Sequence, residues 1–100
     1  MDVTHHFDGL EFEWDSEKAA TNEDKHSVQF TEAATVFADP VARIFDDDAR
    51  SETEVREIIV GYSLAQRLLL VSYTERSETI RLISARIATK KERKNHEQST

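Results

Sequence analysis

The chain has 100 residues, which is the size of one small domain. Hydrophobic residues make up 38% and charged residues 33%, with two glycines and one proline, which excludes collagen, a flexible linker and a proline-rich disordered chain. Cysteine is absent, so disulfides, zinc–thiolate sites and thiol catalysis are excluded too. No apolar run approaches the ~20 residues that span a bilayer, and residues 1–10 lack the pattern of a secretory signal. We expect a cytoplasmic protein.

The net charge of −7 is divided unevenly along the chain. Residues 1–57 carry a net charge of −11, whereas residues 58–100 carry +4. A uniformly acidic surface would repel nucleic acid, but the second half can still present a basic face. The basic residues near the C-terminus equally fit a solvated helix. Composition leaves nucleic-acid binding and plain solvation open.

The first half predicts a strand followed by a helix. We expect residues 1–10 to form a flexible N-terminal extension and residues 11–97 to form a single domain. Apolar and acidic residues alternate from Leu10 to Trp14, which is the period of a half-buried strand. Asp15 then predicts an N-cap, since its carboxylate can accept from free amides of the next turn, for a helix over about 16–26.

A second helix is predicted over about 32–38, with Thr31 as its N-cap. Asp39-Pro40 ends it, because the residue before proline avoids the α region. A strand is predicted at 41–45, and an acidic turn runs from 46 to about 54.

The remainder predicts sheet. Three segments rich in Ile, Leu and Val are predicted as strands at 56–63, 67–74 and 79–86, with a hairpin loop at 74–78. The run from Leu68 to Val71 is apolar on both faces, so its strand should be central. A closing helix is predicted at 88–96. The fold class is therefore α+β: an antiparallel sheet of about four strands packed against two N-terminal helices, with a C-terminal helix.

Arginines on these strands are candidate phosphate ligands. By strict alternation Arg81 lies on one side of its strand and Arg86 on the other, while Arg67 shares a side with Tyr73. The planar guanidinium fork suits phosphate, and a tyrosine offers an aromatic face or a phenol. Such a set could stabilise the attack of a ribose 2′-hydroxyl on phosphorus without a metal. The alternative is that each arginine pairs with an acid of the first half.

Other constellations are weaker. His26 ends the first predicted helix, where a cation favours the helix dipole, so it can act as a capping residue or in proton transfer. No His, Asp or Glu set has metal-ligand spacing, and the Asp46–Asp48 triplet lacks the glycine and glutamate register of an EF-hand. No glycine-rich phosphate loop is present. The sequence therefore offers no metal site, and Walker-type and Rossmann nucleotide-binding sites are excluded.

The ordered set of motifs resembles the BrnT family of bacterial toxins over residues 11–94. In the first half these are Phe12-Glu13-Trp14-Asp15, Lys18-Ala19, Asn22, Lys25-His26, Phe30, Glu32-Ala33, Val36-Phe37 and Asp39-Pro40. In the second half they are Gly61-Tyr62-Ser63, Arg67-Leu68-Leu69, Tyr73-Thr74-Glu75-Arg76, Ile80-Arg81, Ile83-Ser84-Ala85-Arg86 and Ala88-Thr89-Lys90-Lys91-Glu92-Arg93.

The resemblance implies a RelE-like fold and the toxin half of a type II toxin–antitoxin pair. It implies a ribonuclease that arrests translation without a metal or cofactor. It also implies a BrnA-like ribbon-helix-helix antitoxin as partner, in a complex of two toxins and two antitoxins. Operator DNA would be contacted only through the antitoxin, and no membrane is involved.

Carried over by position, the resemblance implies a set of functional residues. Arg67 and Arg81 would grip phosphate, Arg86 would neutralise transition-state charge, and the protons would be handled by His26, Lys25 or Tyr73. The candidates for further RNA contacts are Arg76, Lys90 and Lys91.

One position departs from the family pattern, because Ser27 stands where the family often has glycine. If its φ is positive, Ser27 carries strain of about 1 kcal/mol. The net charge of −7 is also unusual for a ribonuclease. A second hypothesis therefore stands beside the nuclease: a catalytically weak binding module that serves as antitoxin partner and operon co-repressor. A metal-dependent nuclease is a third hypothesis, for which the sequence offers no ligand cluster.

Overall fold

A computed structural model describes residues 1–47 and 54–98. Over these residues the chain forms one six-stranded sheet and three α-helices, with a 3-10 turn at Val36–Ala38. The strands are β1 (Asp2–Phe7), β2 (Leu10–Asp15), β3 (Arg43–Asp46), β4 (Glu57–Tyr62), β5 (Leu68–Arg76) and β6 (Thr79–Ile87); the helices are α1 (Ser16–His26), α2 (Phe30–Thr35) and α3 (Lys90–Gln98).

The strand order is β1-β2-β6-β5-β4-β3, so β5 and β6 are the central strands. All neighbours are antiparallel except β2 and β6, which run parallel. The run from Leu68 to Val71 lies in β5 and packs on both faces of the sheet. The α+β class and the central position of β5 are therefore confirmed. The acidic turn predicted at 46–54 lies largely outside the described residues.

The prediction of about four strands was wrong, chiefly because β1 occupies the segment that we expected to be flexible. Val3 and Phe7 alternate toward the core and pack against it. Asp8 and Gly9 both have positive φ, 53° and 79°, which forms the two-residue turn that an Asp-Gly pair favours in a hairpin. The two helices consequently follow a hairpin and do not begin the fold.

The first helix agrees with the sequence, whereas the second differs. The carboxylate of Asp15 caps α1 by accepting from Lys18 N at 3.1 Å. The second helix begins at Phe30 with Gln29 at its N-cap, so Thr31 is not the cap. The chain tightens into the 3-10 turn and becomes extended at Asp39, before the proline, as expected.

The two faces of the sheet have separate apolar clusters. The inner face, which α1 and α2 cover, includes Phe12, Val71 and Tyr73. The outer face carries a smaller cluster around Val60 and Leu68 beside α3. Because α3 has no apolar residue, it leaves much of the outer face accessible.

A β-bulge in β6 decides which side chains share the outer face. Tyr73 pairs with Leu82 and Ser72 pairs with Ser84, so Ile83 is an extra residue in β6. Strict alternation put Arg81 and Arg86 on opposite sides, and that prediction was wrong. The extra residue resets the alternation and brings both arginines to the outer face, roughly 15 Å apart along the strand.

Candidate active-site cleft

The last turn of α1 is placed beside β6 by one buried side chain. The pairing between β2 and β6 ends at Glu13 and Arg81, which leaves the next part of the β6 edge without a neighbouring strand. Asn22, which is 5% exposed, fills this place. Its amide donates to Ala85 O at 2.8 Å, and its Oδ1 accepts from Ala85 N at 3.0 Å. His26, one turn further along α1, therefore lies next to the C-terminal half of β6.

The arginine cleft is a cavity of about 220 Å³ on the outer face, beside the end of α1. Two arginines and a histidine provide its basic groups, Ser72 and Ser84 provide hydroxyls, and apolar side chains form its floor. Its lining residues are His26, Asp47, Arg56, Ile58, Leu70, Ser72, Ile83, Ser84, Ala85 and Arg86.

Arg86 is oriented by a carboxylate of α3. Its Nη1 and Nη2 donate to the two oxygens of Glu92, both at 2.8 Å. These bonds lower the pKa of Glu92 to about 2 and raise that of Arg86. Glu92 is itself fixed, because Thr89 N donates to its Oε1 at 2.8 Å and Thr89 caps the helix. The fixed carboxylate of Glu92 thus holds the guanidinium of Arg86 at the edge of the cleft.

Arg56 is the residue of the cleft that sequence reasoning missed. It comes just before β4 and alternates with Ile58 and Val60, which lie on the outer face. Its Nε and Nη2 donate to Glu54 Oε1 at 3.3 and 3.2 Å. The alternation along the chain places residue 56 on the same side as Ile58 and Val60, and the pairing of β4 with β5 and of β5 with β6 brings that side to Arg86.

Lys25 lies outside the arginine cleft, in a groove along α1 that shares His26, Ile83 and Ser84 with it. Ser27 ends the helix in the left-handed region, with φ of 58° and ψ of 34°. The condition stated for strain at Ser27, a positive φ, is therefore met. This sharp end leaves His26 as the last helical residue, between the groove and the cleft.

Arg67 lies away from the cleft, and its hydrogen bonds connect the turn before β5 to α2 and to the end of α1. Its Nε donates to Glu32 Oε2 at 2.9 Å, and its Nη2 donates to Glu32 Oε1 and to Ser27 O. Ser63 Oγ also donates to Glu32, at 2.7 Å. Arg67 is the main cause of the lowered pKa of Glu32. This pairing matches the alternative in which an arginine is held by an acid of the first half.

Tyr73 and Arg81 also lie outside the cleft. Tyr73 is 2% exposed on the inner face, where its hydroxyl donates to Glu57 Oε1 at 3.1 Å. Burial, together with the charge of Glu57, raises the pKa of the phenol well above its usual range. Arg81 forms ion pairs with Asp2 at 3.2 Å and Glu13 at 3.3 Å, at the β1 side of the sheet.

The three residues predicted to make further RNA contacts are separate from the cleft as well. Arg76 ends β5 and pairs with Glu54 at 3.4 Å. Lys90 and Lys91 are exposed in the first turn of α3. Among the residues the structure describes, no group of three His, Asp or Glu side chains could hold a metal ion. Nor is any helix in this part of the chain long and apolar enough to cross a bilayer.

Comparison with known proteins assigns the class of this chain. A family model described as the ribonuclease toxin BrnT of a type II toxin–antitoxin system matches residues 14–92. The chain is thus a toxin of the ribonuclease class, whose system includes an antitoxin. The 1.1 Å crystal structure of the Brucella abortus ribonuclease toxin BrnT is similar, with 25% identity and a TM-score of 0.60, over 77% of this chain and 94% of that one. No curated protein matches the chain. The chain belongs to the BrnT family, as its sequence motifs indicated.

Proposed function

We propose that the chain is a metal-independent endoribonuclease that cleaves RNA in the arginine cleft and thereby inhibits translation. The observation that carries this proposal is the convergence of His26, Arg56 and Arg86 on one cavity. We further propose a cytoplasmic site of action and a BrnA-type antitoxin, in a complex of two toxins and two antitoxins. A RelE-like mode of catalysis, in which basic side chains replace a metal, fits this composition.

The chemistry follows from the positions of these groups. The scissile phosphate lies between Arg56 and Arg86, whose guanidinium groups stabilise its oxygens as negative charge builds up. His26 accepts the proton of the adjacent 2′-hydroxyl, whose oxygen bonds to phosphorus as the bond to the 5′-oxygen breaks. The departing oxygen takes a proton from water. The products are a 2′,3′-cyclic phosphate and a 5′-hydroxyl end.

The remaining basic candidates have supporting roles in this proposal. Lys25, in the groove along α1, contacts a flanking phosphate, and Lys90 and Lys91 extend the basic surface on the other side. Arg67 and Arg81 do not line the arginine cleft, and in this proposal they stabilise the scaffold through their ion pairs and do not touch RNA.

The first experiment expresses the chain from a tightly controlled promoter in a bacterial host, with and without the neighbouring gene. We expect growth arrest with loss of RNA integrity, and rescue by the neighbour. The purified chain should cleave single-stranded RNA equally well with and without EDTA. Activity abolished by EDTA and restored by a divalent cation would contradict the metal-independent mechanism.

One observation favours the binding module as a second candidate function. Arg86 and Arg56 are both already engaged by carboxylates, Glu92 and Glu54, which compete with a phosphate for the guanidinium groups. If the folded chain binds its antitoxin tightly but neither arrests growth nor cleaves RNA, its function is that of a binding module and not that of a nuclease.

A further inference from the structure

A second cavity, the outer pocket, adjoins the arginine cleft on the same face of the sheet. It encloses about 250 Å³ between α3 and strands β3 to β5. Ile58 and Leu70 line both cavities, so the two are neighbours that share these side chains as a common wall. The lining residues of the outer pocket are Arg43, Phe45, Ile58, Val60, Leu70, Glu92, Asn95 and His96.

The walls of the outer pocket are mostly apolar, with one aromatic ring at the entrance. Phe45 lies on β3, the edge strand, and remains 51% exposed. Exposing half of a phenylalanine ring beside an apolar cavity forgoes burial that would stabilise the fold. A flat apolar ligand that stacks on this ring would recover that burial.

His96 is one of four polar residues that line the outer pocket, with Arg43, Glu92 and Asn95, and it is buried. It is 6% exposed, and its ring packs edge-on against that of Tyr62, with 5.9 Å between centroids. Its Nε2 is buried without a hydrogen-bond partner among the described residues. A buried polar atom in this state is costly, and such atoms mark places where a further group completes the hydrogen bonding.

We propose that the outer pocket binds the base of the nucleotide next to the phosphate held in the arginine cleft. The base stacks on Phe45, and its edge contacts the polar side chains of the pocket. A rotation of the His96 ring, whose Nε2 is enclosed by protein atoms and lacks a partner among the described residues, brings that nitrogen to the edge of the base. The placement of the phosphate rests on the proposed function. A base is favoured because it combines apolar faces with a polar edge, as the pocket does, and because the shared walls of Ile58 and Leu70 put it within one nucleotide of the cleft.

The test is an NMR titration of the isotopically labelled chain with adenosine 3′-monophosphate, uridine 3′-monophosphate and inorganic phosphate. We expect both nucleotides to shift the signals of Phe45, Val60 and His96, while phosphate shifts only signals around the arginine cleft. Phe45→Ala should weaken nucleotide binding roughly tenfold, the loss expected for one stacked base, and leave phosphate binding unchanged. Phe45→Trp should retain nucleotide binding.

Ile44→Ala is the matched control, because Ile44 is the neighbouring residue, is 55% exposed and points to the opposite face. It should leave nucleotide binding unchanged. In RNA cleavage, Phe45→Ala and His96→Phe should change the base preference beside the cut. Thermal unfolding of both variants shows whether they remain folded.

The outcomes separate this inference from the proposed function. Nucleotide binding at the outer pocket in a chain that never cleaves RNA contradicts the nuclease and supports the pocket. Cleavage that continues with unchanged base preference in Phe45→Ala overturns the pocket alone. If the nucleotides do not shift the NMR signals of the pocket residues but the purified antitoxin does, the pocket binds protein and the inference is wrong.

Discussion

The side-chain amide of Asn22 exchanges two hydrogen bonds with the backbone of Ala85, as an adjacent strand would. A third bond, from Asn22 Nδ2 to Val28 O at 3.0 Å, fixes the loop after α1. One buried side chain thus joins α1, the following loop and the open edge of β6. The position of His26 beside Arg86 depends on this connection.

Replacing Asn22 should therefore destabilise the protein strongly. Asn22→Ala removes three buried hydrogen bonds and leaves Ala85 N–H without its partner, so we expect a loss of about 2–4 kcal/mol in the free energy of unfolding. Urea denaturation measures it. The control is Thr21→Ala, the exposed neighbour of Asn22 on the same helix, for which we expect a change within about 0.5 kcal/mol. Equal losses for the two variants would contradict a special role for Asn22.

His26 should matter for catalysis and little for stability. His26→Ala removes the proposed proton acceptor, and we expect RNA cleavage to fall by about 10²–10⁴-fold. The melting temperature should change by only a few degrees, since the side chain is half-exposed at a helix end. Cleavage of a labelled oligonucleotide measures the effect. His5→Ala, on the distant strand β1, is the control. Retention of activity in His26→Ala would remove this residue from the mechanism.

Arg56 and Arg67 should behave in opposite ways. Arg56→Ala removes a basic group from the arginine cleft, so cleavage should drop by about 10²-fold or more. Its bonds to Glu54 are long, at 3.2 and 3.3 Å, and reach a single carboxylate oxygen, so we expect a stability cost of about 1 kcal/mol.

Arg67→Ala leaves Glu32 half-buried without its cation and removes the bond to Ser27 O. We expect a loss of about 2–3 kcal/mol in stability, with activity per folded molecule retained. Urea denaturation and cleavage assays on both variants measure the contrast. If Arg67→Ala abolished cleavage while the stability stayed unchanged, Arg67 would be a phosphate ligand, as the family resemblance implied.

Ser27→Gly should stabilise the protein. Ser27 has φ of 58°, a conformation that costs an ordinary residue about 1 kcal/mol and glycine very little. We expect a gain of about 0.5–1 kcal/mol, measured by urea denaturation. Ser84→Gly, in the extended strand β6, should lower stability because glycine is unfavourable there. A loss of stability in Ser27→Gly would mean that the serine side chain compensates for the strain.

The ion pair between Arg86 and Glu92 should give stability a defined pH dependence. The pKa of Glu92 is lowered from 4.5 to about 2 in the folded state, chiefly by Arg86. Its contribution to stability is therefore complete above about pH 4.5 and is lost as the pH falls toward 2. The stability difference between the natural chain and Glu92→Gln should shrink over this range. Urea denaturation at pH 6 and pH 3 measures it, and a constant difference would contradict the assignment.

Local patterns in the sequence determined much of this fold. The alternating strands of the second half, the cap at Asp15 and the helix it begins depend on neighbours within a few residues, and the structure confirms them. The end of the second helix before Pro40 is local in the same sense. The ordered motifs were enough to indicate the family.

Which side chains meet depended on contacts between distant segments of the chain. One extra residue, Ile83, reverses the facing of everything after it in β6, and such a bulge has no distinct local pattern. Arg56 entered the cleft because β4 pairs with β5 in a particular register, while Arg67 and Arg81 were drawn to carboxylates distant in sequence. Periodicity is set by backbone geometry along the chain, whereas register and ion pairing depend on contacts between distant segments. Local sequence patterns were therefore enough for most of the elements and for the family, whereas strand β1 and the composition of the cleft depended on long-range packing.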